Sequence, residues 1–380
     1  MSERKLSVVV VGLRFGAEFV PIYKDHPSVR EVGVADLDKS LCETARKRFG
    51  ITKSYASLEE ALADASVDAV HIVTGLARHA PEAVSALDAG KHVACAVPMG
   101  LSFEELRAVA EAQSRSGRSY MMMETAVFTR EFIWASDLVR NGELGDVCYA
   151  RGTHFQDMTN WPEYWLGLPP MHYVTHAVAP VLALLAGRAT GVQAIGGGRL
   201  ADENRGNYGP SFPMQCAHVS VEGTTAAVEL VRSLFQLARS YTESFSIYGD
   251  KKSIEWPQLE ATAGEMVLYE MGPEADGRGK PVTATRVIVP DRADLLPVPV
   301  RRYTTKFVYG GEEGTHLSFT QGGGHGGSHP HLVHEFISSV IEERPPAVDS
   351  LTAANWTAVG IAAHQSSLQK GKYVDIPTFI

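Results

Sequence analysis

Through its first 124 residues the chain alternates short apolar runs with amphipathic stretches. The runs LSVVVVG, VGVAD, VDAVHIVTG, KHVACAV and SYMMME have no polar face and are bounded by turn residues, the pattern of strands buried on both sides. Between them lie runs of good helix formers. Ser57 with Glu60 and Ser102 with Glu105 have the spacing of a capping box, in which hydroxyl and carboxylate satisfy the free amides of a helix start. Strand and helix in alternation predict a parallel sheet covered on both faces. A further helix is predicted from Arg130 to Asn141, stopped by Gly142 and Gly145.

Beyond that point the texture changes. RGTHFQDM, MQCAHVSVEG, TAAVELVRS, SFSIYGD and KKSIEW read as strands joined by turns, which predicts a largely antiparallel sheet. Segments 196–213 and 272–325 are rich in Gly, Pro and polar residues and read as long loops. Two late helices are expected, His331 to Glu342 and Leu351 to Gln369.

With 380 residues, 44% of them hydrophobic, the chain can bury two cores. A formal net charge of -9 argues against nucleic acid or an anionic membrane as partner, because either would repel it. A small soluble ligand is expected. Cys42, Cys95, Cys148 and Cys216 are scattered and form no CxxC pair, so reduced thiols and a cytoplasmic location are expected. No apolar stretch approaches the length of a membrane span, and MSERKLSVVVVGL lacks the apolar core of a signal peptide.

The first strand runs into VVVVGLRFGAEF, where a glycine turn at a helix start can hold a pyrophosphate. Laid over G-x-G-x-x-G/A, the segment Gly12-Leu13-Arg14-Phe15-Gly16-Ala17 keeps the first glycine and the last small residue. Arg14 takes the middle position. Gly16 offers partial compensation, and Arg14 is either a phosphate ligand or a solvated loop arginine. Asp36 ends the second strand 24 residues after Gly12, near the distance at which an acid meets the adenosine ribose. It would repel a 2′-phosphate, so NAD is expected rather than NADP.

The stretch VDAVHIVTGLARHAPEAVSALDAGKHVACAVP resembles the Gfo/Idh/MocA oxidoreductases, and the resemblance extends over nearly the whole chain. That family shows T-P-x-x-x-H followed by A-G-K-H-V-x-x-E-K-P. Here Thr74 to His79 and Ala89 to Pro98 keep the frame, with Ala96 and Val97 in place of the acid and the catalytic lysine. A second family motif, D-x-G-x-H-x-x-D, falls on His172 to Ala179, where only His176 survives.

These departures resemble the NAD-dependent glycoside hydrolases of the superfamily, α-N-acetylgalactosaminidase-like or sulfoquinovosidase-like. Four segments carry the likeness: Ala96-Val97-Pro98, Met121 to Thr125, Tyr173 with His176, and Gly324-His325-Gly326-Gly327. Thr125 and Ala96 depart from that branch's Asn and Glu.

The resemblance implies a Rossmann NAD-binding domain over residues 1–124. A substrate-binding and oligomerisation domain, α/β with a large mainly antiparallel open sheet, would follow over 125–380. A homodimer or homotetramer is implied as well. Gly12, Arg14, Phe15, Gly16, Asp36, Thr74, His79, Val97, Pro98 and Glu124 would face the cofactor, and Tyr173, His176, His325 and His172 would carry chemistry. Arg78 and Arg151 are candidates for an acidic group on the sugar, with Arg301 and Arg302 as further arginines of that kind.

His325, His329, His331 and His334 lie within ten residues, but no cysteine or HExxH arrangement accompanies them, so no metal site is expected. The preferred function is a redox-neutral glycosidase. A sugar or polyol dehydrogenase and a non-catalytic sugar or NAD sensor are the rivals.

Overall fold

The computed structural model describes residues 5–258, 264–273, 277–305 and 323–379. They sort into two compact units, the first Met1–Phe128 with Arg292–Ala354 and Phe379–Ile380, the second Thr129–Asp291 with Asn355–Thr378. Residues 292–354 therefore return to the first unit after the chain has built most of the second.

The first unit holds a six-stranded parallel sheet. Its strands are β1 (Leu6–Val11), β2 (Val29–Ala35), β3 (Lys53–Tyr55), β4 (Ala69–Ile72), β5 (His92–Cys95) and β6 (Tyr120–Met122). The order β3-β2-β1-β4-β5-β6 reverses between β1 and β4, the switch point at which open α/β sheets take ligands. All six residues of β1 are buried, as an uninterrupted LSVVVV run requires.

Up to Phe128 the helices of this unit are α1 (Leu13–Gly16), α2 (Val20–Asp25), α3 (Lys39–Phe49), α4 (Leu58–Ala63), α5 (His79–Asp88) and α6 (Phe103–Ser116). Both capping boxes form. Ser57 Oγ accepts from Glu60 N at 3.3 Å and Ser102 Oγ from Glu105 N at 3.2 Å. The glutamates reach one residue further back than expected, to the amides of Ala56 and Leu101 at 2.6 Å each.

The second unit begins with α7 (Arg130–Arg140), capped by Thr129. It carries a nine-stranded sheet of β7 (Val147–Phe155), β8 (Ala189–Gly197), β9 (Met214–Val221), β10 (Ala227–Ser233), β11 (Thr242–Gly249), β12 (Lys252–Glu255), β13 (Glu265–Met271), β14 (Val282–Ile288) and β15 (Val374–Asp375). Its order is β14-β13-β12-β11-β7-β10-β9-β8-β15, antiparallel except where β10 runs parallel to β7. One face of β7 is covered by α8 (Thr175–Leu185), and the approach needs glycine: a Cβ on Gly152 would lie 2.0 Å from the Ala177 carbonyl oxygen.

The late helices are α9 (His329–Ile341) and α10 (Ser350–Leu368). α9 starts two residues earlier than expected because Pro330 sits in its first turn, where a missing amide costs nothing. β3, β8, β13, β14 and β15 were not expected. β14 lies inside the stretch read as a loop. Its residues are exposed or nearly so, so no buried alternation marks it. Residues 306–322 of that same stretch lie outside the described residues.

Candidate active site

In the first unit the expected cofactor residues gather at the carboxyl ends of parallel strands, with Gly12 after β1, Asp36 after β2, Thr74 after β4, Val97 and Pro98 after β5 and Glu124 after β6. Gly12 has φ 87°, and a Cβ there would stand 2.5 Å from the Val73 carbonyl oxygen. Only glycine fits. Gly16 is a close-packed position. Its missing side chain lets the helix rest on the sheet, where a Cβ would meet Val10 Cγ1 at 3.0 Å and Val73 Cβ at 3.2 Å.

Asp36 braces the turn. Its Oδ2 accepts from Leu13 N at 2.7 Å and its Oδ1 from Asp38 N at 2.8 Å. Arg14 is exposed. These features fit a dinucleotide: a cradle that a side chain would fill and a helix start behind it, with an acid beside the turn that repels a 2′-phosphate.

Other expected residues are spent on the protein itself. His79 is buried between two strand-end loops, with Nδ1 2.8 Å from the Pro98 carbonyl oxygen and Nε2 3.0 Å from that of Thr74, and its neutral ring donates to one of them at a time. Burial lowers its pKa. Thr74 Oγ1 and Arg78 Nε donate to opposite oxygens of Glu82, at 2.5 and 2.7 Å. Glu124 is fully buried and caps the turn after β6, accepting from Ala126 N at 3.0 Å. Val97 is 7% exposed and precedes Pro98 through a cis bond.

His325 Nδ1 lies 3.5 Å from Thr125 Oγ1, and the ring packs edge-on to Phe15 at 5.9 Å. Behind it His329 is 5.4 Å away and sets its Nδ1 3.4 Å from Glu18 Oε2, both side chains fully buried. Arg301 donates to the Leu296 carbonyl and Arg302 pairs with Asp25, so both serve the fold of this unit. Among the described residues no group of three His, Cys, Asp or Glu is placed to hold a metal ion.

In the second unit Tyr173 and His176 come together as expected, rings edge-on at 5.5 Å. They are joined by residues that the sequence reading passed over. In the sheet register Arg232 of β10 and Glu243 of β11 both pair with His154 of β7. Paired residues share a face, so cation, imidazole and carboxylate form one row across three strands, on the face that α8 covers.

Arg232 is fully buried. Its Nε donates to the Tyr173 carbonyl at 2.8 Å, Nη1 to the carbonyls of His154 and Ser233, and Nη2 to Gln156 Oε1 at 3.2 Å. Its guanidinium carbon lies 5.3 Å from the Tyr173 ring centroid. Burial brings its pKa down to about 9. His154 packs 4.9 Å from His176 and 5.3 Å from Tyr241. His176 Nε2 is 3.8 Å from Glu243 Oε1, which also accepts from the Tyr241 hydroxyl.

Two expected residues do not join this group. His172 sits in the turn before α8 but packs against His364 of α10 at 5.1 Å. Burial, then the second imidazole, lowers its pKa to about 3. Arg151 is on β7, an odd number of residues from His154 and therefore on the opposite face, with Glu229 at 3.8 Å.

Arg232, Glu243 and His154 each had a sequence signal that went unused. They continue the inward phases Val228-Leu230, Phe245-Ile247 and Ala150-Gly152, so each is a polar residue where the alternation calls for an apolar one.

Two family models match the chain. One, described as oxidoreductase family, NAD-binding Rossmann fold, covers residues 6–124, and the other, oxidoreductase family, C-terminal alpha/beta domain, covers 136–376. Levoglucosan dehydrogenase of Pseudarthrobacter phenanthrenivorans is 25% identical over 298 residues, 71% of this chain and 75% of that protein. A glycosyl hydrolase family 109 protein of Shewanella amazonensis is 27% identical over 167 residues, 42% of this chain and only 36% of that protein. The solved structure of levoglucosan dehydrogenase in complex with NADH and levoglucosan superposes with a TM-score of 0.76 at 20% identity, covering 99% of this chain and 100% of that one. At that identity the likeness concerns the fold.

Proposed function

Because the chain belongs to the Gfo/Idh/MocA oxidoreductase family and carries its NAD-binding Rossmann domain, we propose that it is an NAD-dependent glycoside hydrolase. The proposed course is transient oxidation of the sugar at C3, elimination of the aglycone across C1 and C2, addition of water and re-reduction. The observation that carries this reading is the Tyr173–His176 pair beside a buried Arg232, together with an apolar, buried Val97 where a dehydrogenase of the family has its lysine.

Gly12, Phe15 and Asp36 would hold the cofactor, with Gly16 seating the helix behind it. Bound NAD supplies an acceptor that can take a hydride from an alcohol carbon and return it. The protein's own groups move the protons. His176 exchanges the C3 hydroxyl proton. Tyr173 removes the C2 proton, which a neighbouring carbonyl makes acidic, with the Arg232 guanidinium carbon 5.3 Å from its ring centroid. Tyr173 and His176 can exchange these roles without changing the reaction. His325 serves as an acid or a substrate ligand. No pair of carboxylates flanking the glycosidic bond is needed.

A second reading, a sugar dehydrogenase, is favoured by the levoglucosan dehydrogenase relative, which aligns over 71% of this chain. Incubation with NAD and nitrophenyl glycosides in D2O separates the two. The glycosidase releases nitrophenol without net absorbance change at the NADH band and places deuterium at C2, and Tyr173→Phe abolishes both. Stoichiometric NADH with no nitrophenol would replace this reading by the second.

A further inference from the structure

We infer that Glu243 is the positioning residue of His176: its carboxylate fixes the imidazole as the Nε2–H tautomer and leaves Nδ1 as the atom that exchanges the substrate proton. The family motif that ends at Ala179 offers His176 no acid from its own helix, and the sheet supplies one from β11.

Four observations carry this. Both side chains are about 2% exposed, so water does not compete for either. Glu243 Oε1 lies 3.8 Å from Nε2, an approach that is repulsive if that nitrogen presents a lone pair and attractive if it carries a proton. The carboxylate is fixed in place. The Tyr241 hydroxyl donates to the same oxygen, and burial pushes the Tyr241 pKa well up, so this donor stays protonated. The Glu243 amide is held by Gln258 Oε1.

Finally, the charges balance. Arg232 lies across His154 in the same row, so the buried carboxylate has a buried counter-charge and has no need of a proton from His176. Among the described residues His154 and Tyr173 pack against the His176 ring and Tyr241 packs against His154, and none of these three is a carboxylate.

The inference rests on the glycosidase reading only for the identity of the proton that His176 exchanges. Its test therefore reads the imidazole as well as turnover. In the NAD-loaded protein labelled with 15N-histidine, with the His176 signals assigned by their loss in His176→Gln, the neutral ring is expected as the Nε2–H tautomer. An Nδ1–H tautomer would overturn the inference, and this measurement needs no variant at Glu243.

In Glu243→Gln the loss of the negative charge is expected to move the His176 titration, and with it the acidic limb of kcat, to lower pH by about one to two units. kcat should fall at least about tenfold with KM nearly unchanged, and Glu243→Asp, which restores the charge, should recover part of both. A folded Glu243→Gln protein with unshifted His176 titration and pH profile would overturn the inference while leaving the glycosidase reading intact. A shifted titration in a protein that hydrolyses no glycoside would support the inference and overturn that reading.

Discussion

Around Gly12 the first unit builds its ligand site from backbone. Strand ends, a glycine turn and a braced helix start converge there, and the side chains are largely spent holding that backbone still: Asp36 on Leu13, His79 on two loops, Glu82 under Thr74. Around His154 the second unit does the reverse. A regular sheet holds the backbone, and three side chains from three strands converge in one row. The difference follows from the two tasks. A dinucleotide can be gripped by backbone geometry, whereas the proton transfers proposed above need particular ionisable atoms at particular places.

That contrast predicts different sensitivities, the largest at Gly12. Gly12→Ala forces a Cβ to 2.5 Å from a carbonyl oxygen at a positive φ, and NAD affinity should fall by at least about a hundredfold, measured by fluorescence titration with NADH. Near-normal binding would mean that the turn is not the grip.

A smaller effect should test whether the first unit also relies on side chains from distant parts of the chain. His26 Nε2 lies 3.1 Å from His334 Nδ1, joining the end of α2 to α9. Burial, then His334, lowers the His26 pKa from 6.5 to about 4. The folded state thus binds the proton less well than the unfolded one. Stability is full above pH 6.5 and is lost as the pH falls toward 4, by about 1–3 kcal/mol from this group. Urea unfolding across that range should show a shallower pH dependence in His26→Gln. Identical slopes would remove the pair from the account of this unit's stability.

The smallest effect is expected at Arg151. Because it lies on the face of β7 opposite His154, Arg151→Ala should leave kcat/KM within about twofold of the parent. A large loss would show that the outer face of the sheet takes part in turnover.

The alternation of apolar runs with capped helices made the first unit legible, since every signal there is local: Val and Ile in continuous runs, Ser and Glu three apart, an acid after the second strand. Even so, the packing of Gly16 against Val10 and Val73 was not legible, because Val73 lies 57 residues away. In the second unit Tyr173 and His176 were legible because they are three apart at one helix start. Arg151 lies on the face of β7 opposite His154, which its charge alone does not reveal. His172 was grouped with its sequence neighbours, yet its ring turned to His364.

By itself the sequence determined the alternation of strand and helix in the first unit, the dinucleotide turn, the loss of the family's lysine and two acids, and the pair Tyr173–His176. These depend on contacts within a few residues and on chemistry that a side chain carries wherever it lies. Only the tertiary structure decided that Glu243 and Arg232 stand on either side of His154 under α8. Strand pairing brings together residues some 80 to 90 positions apart, and no periodicity along one strand encodes the register of its neighbours.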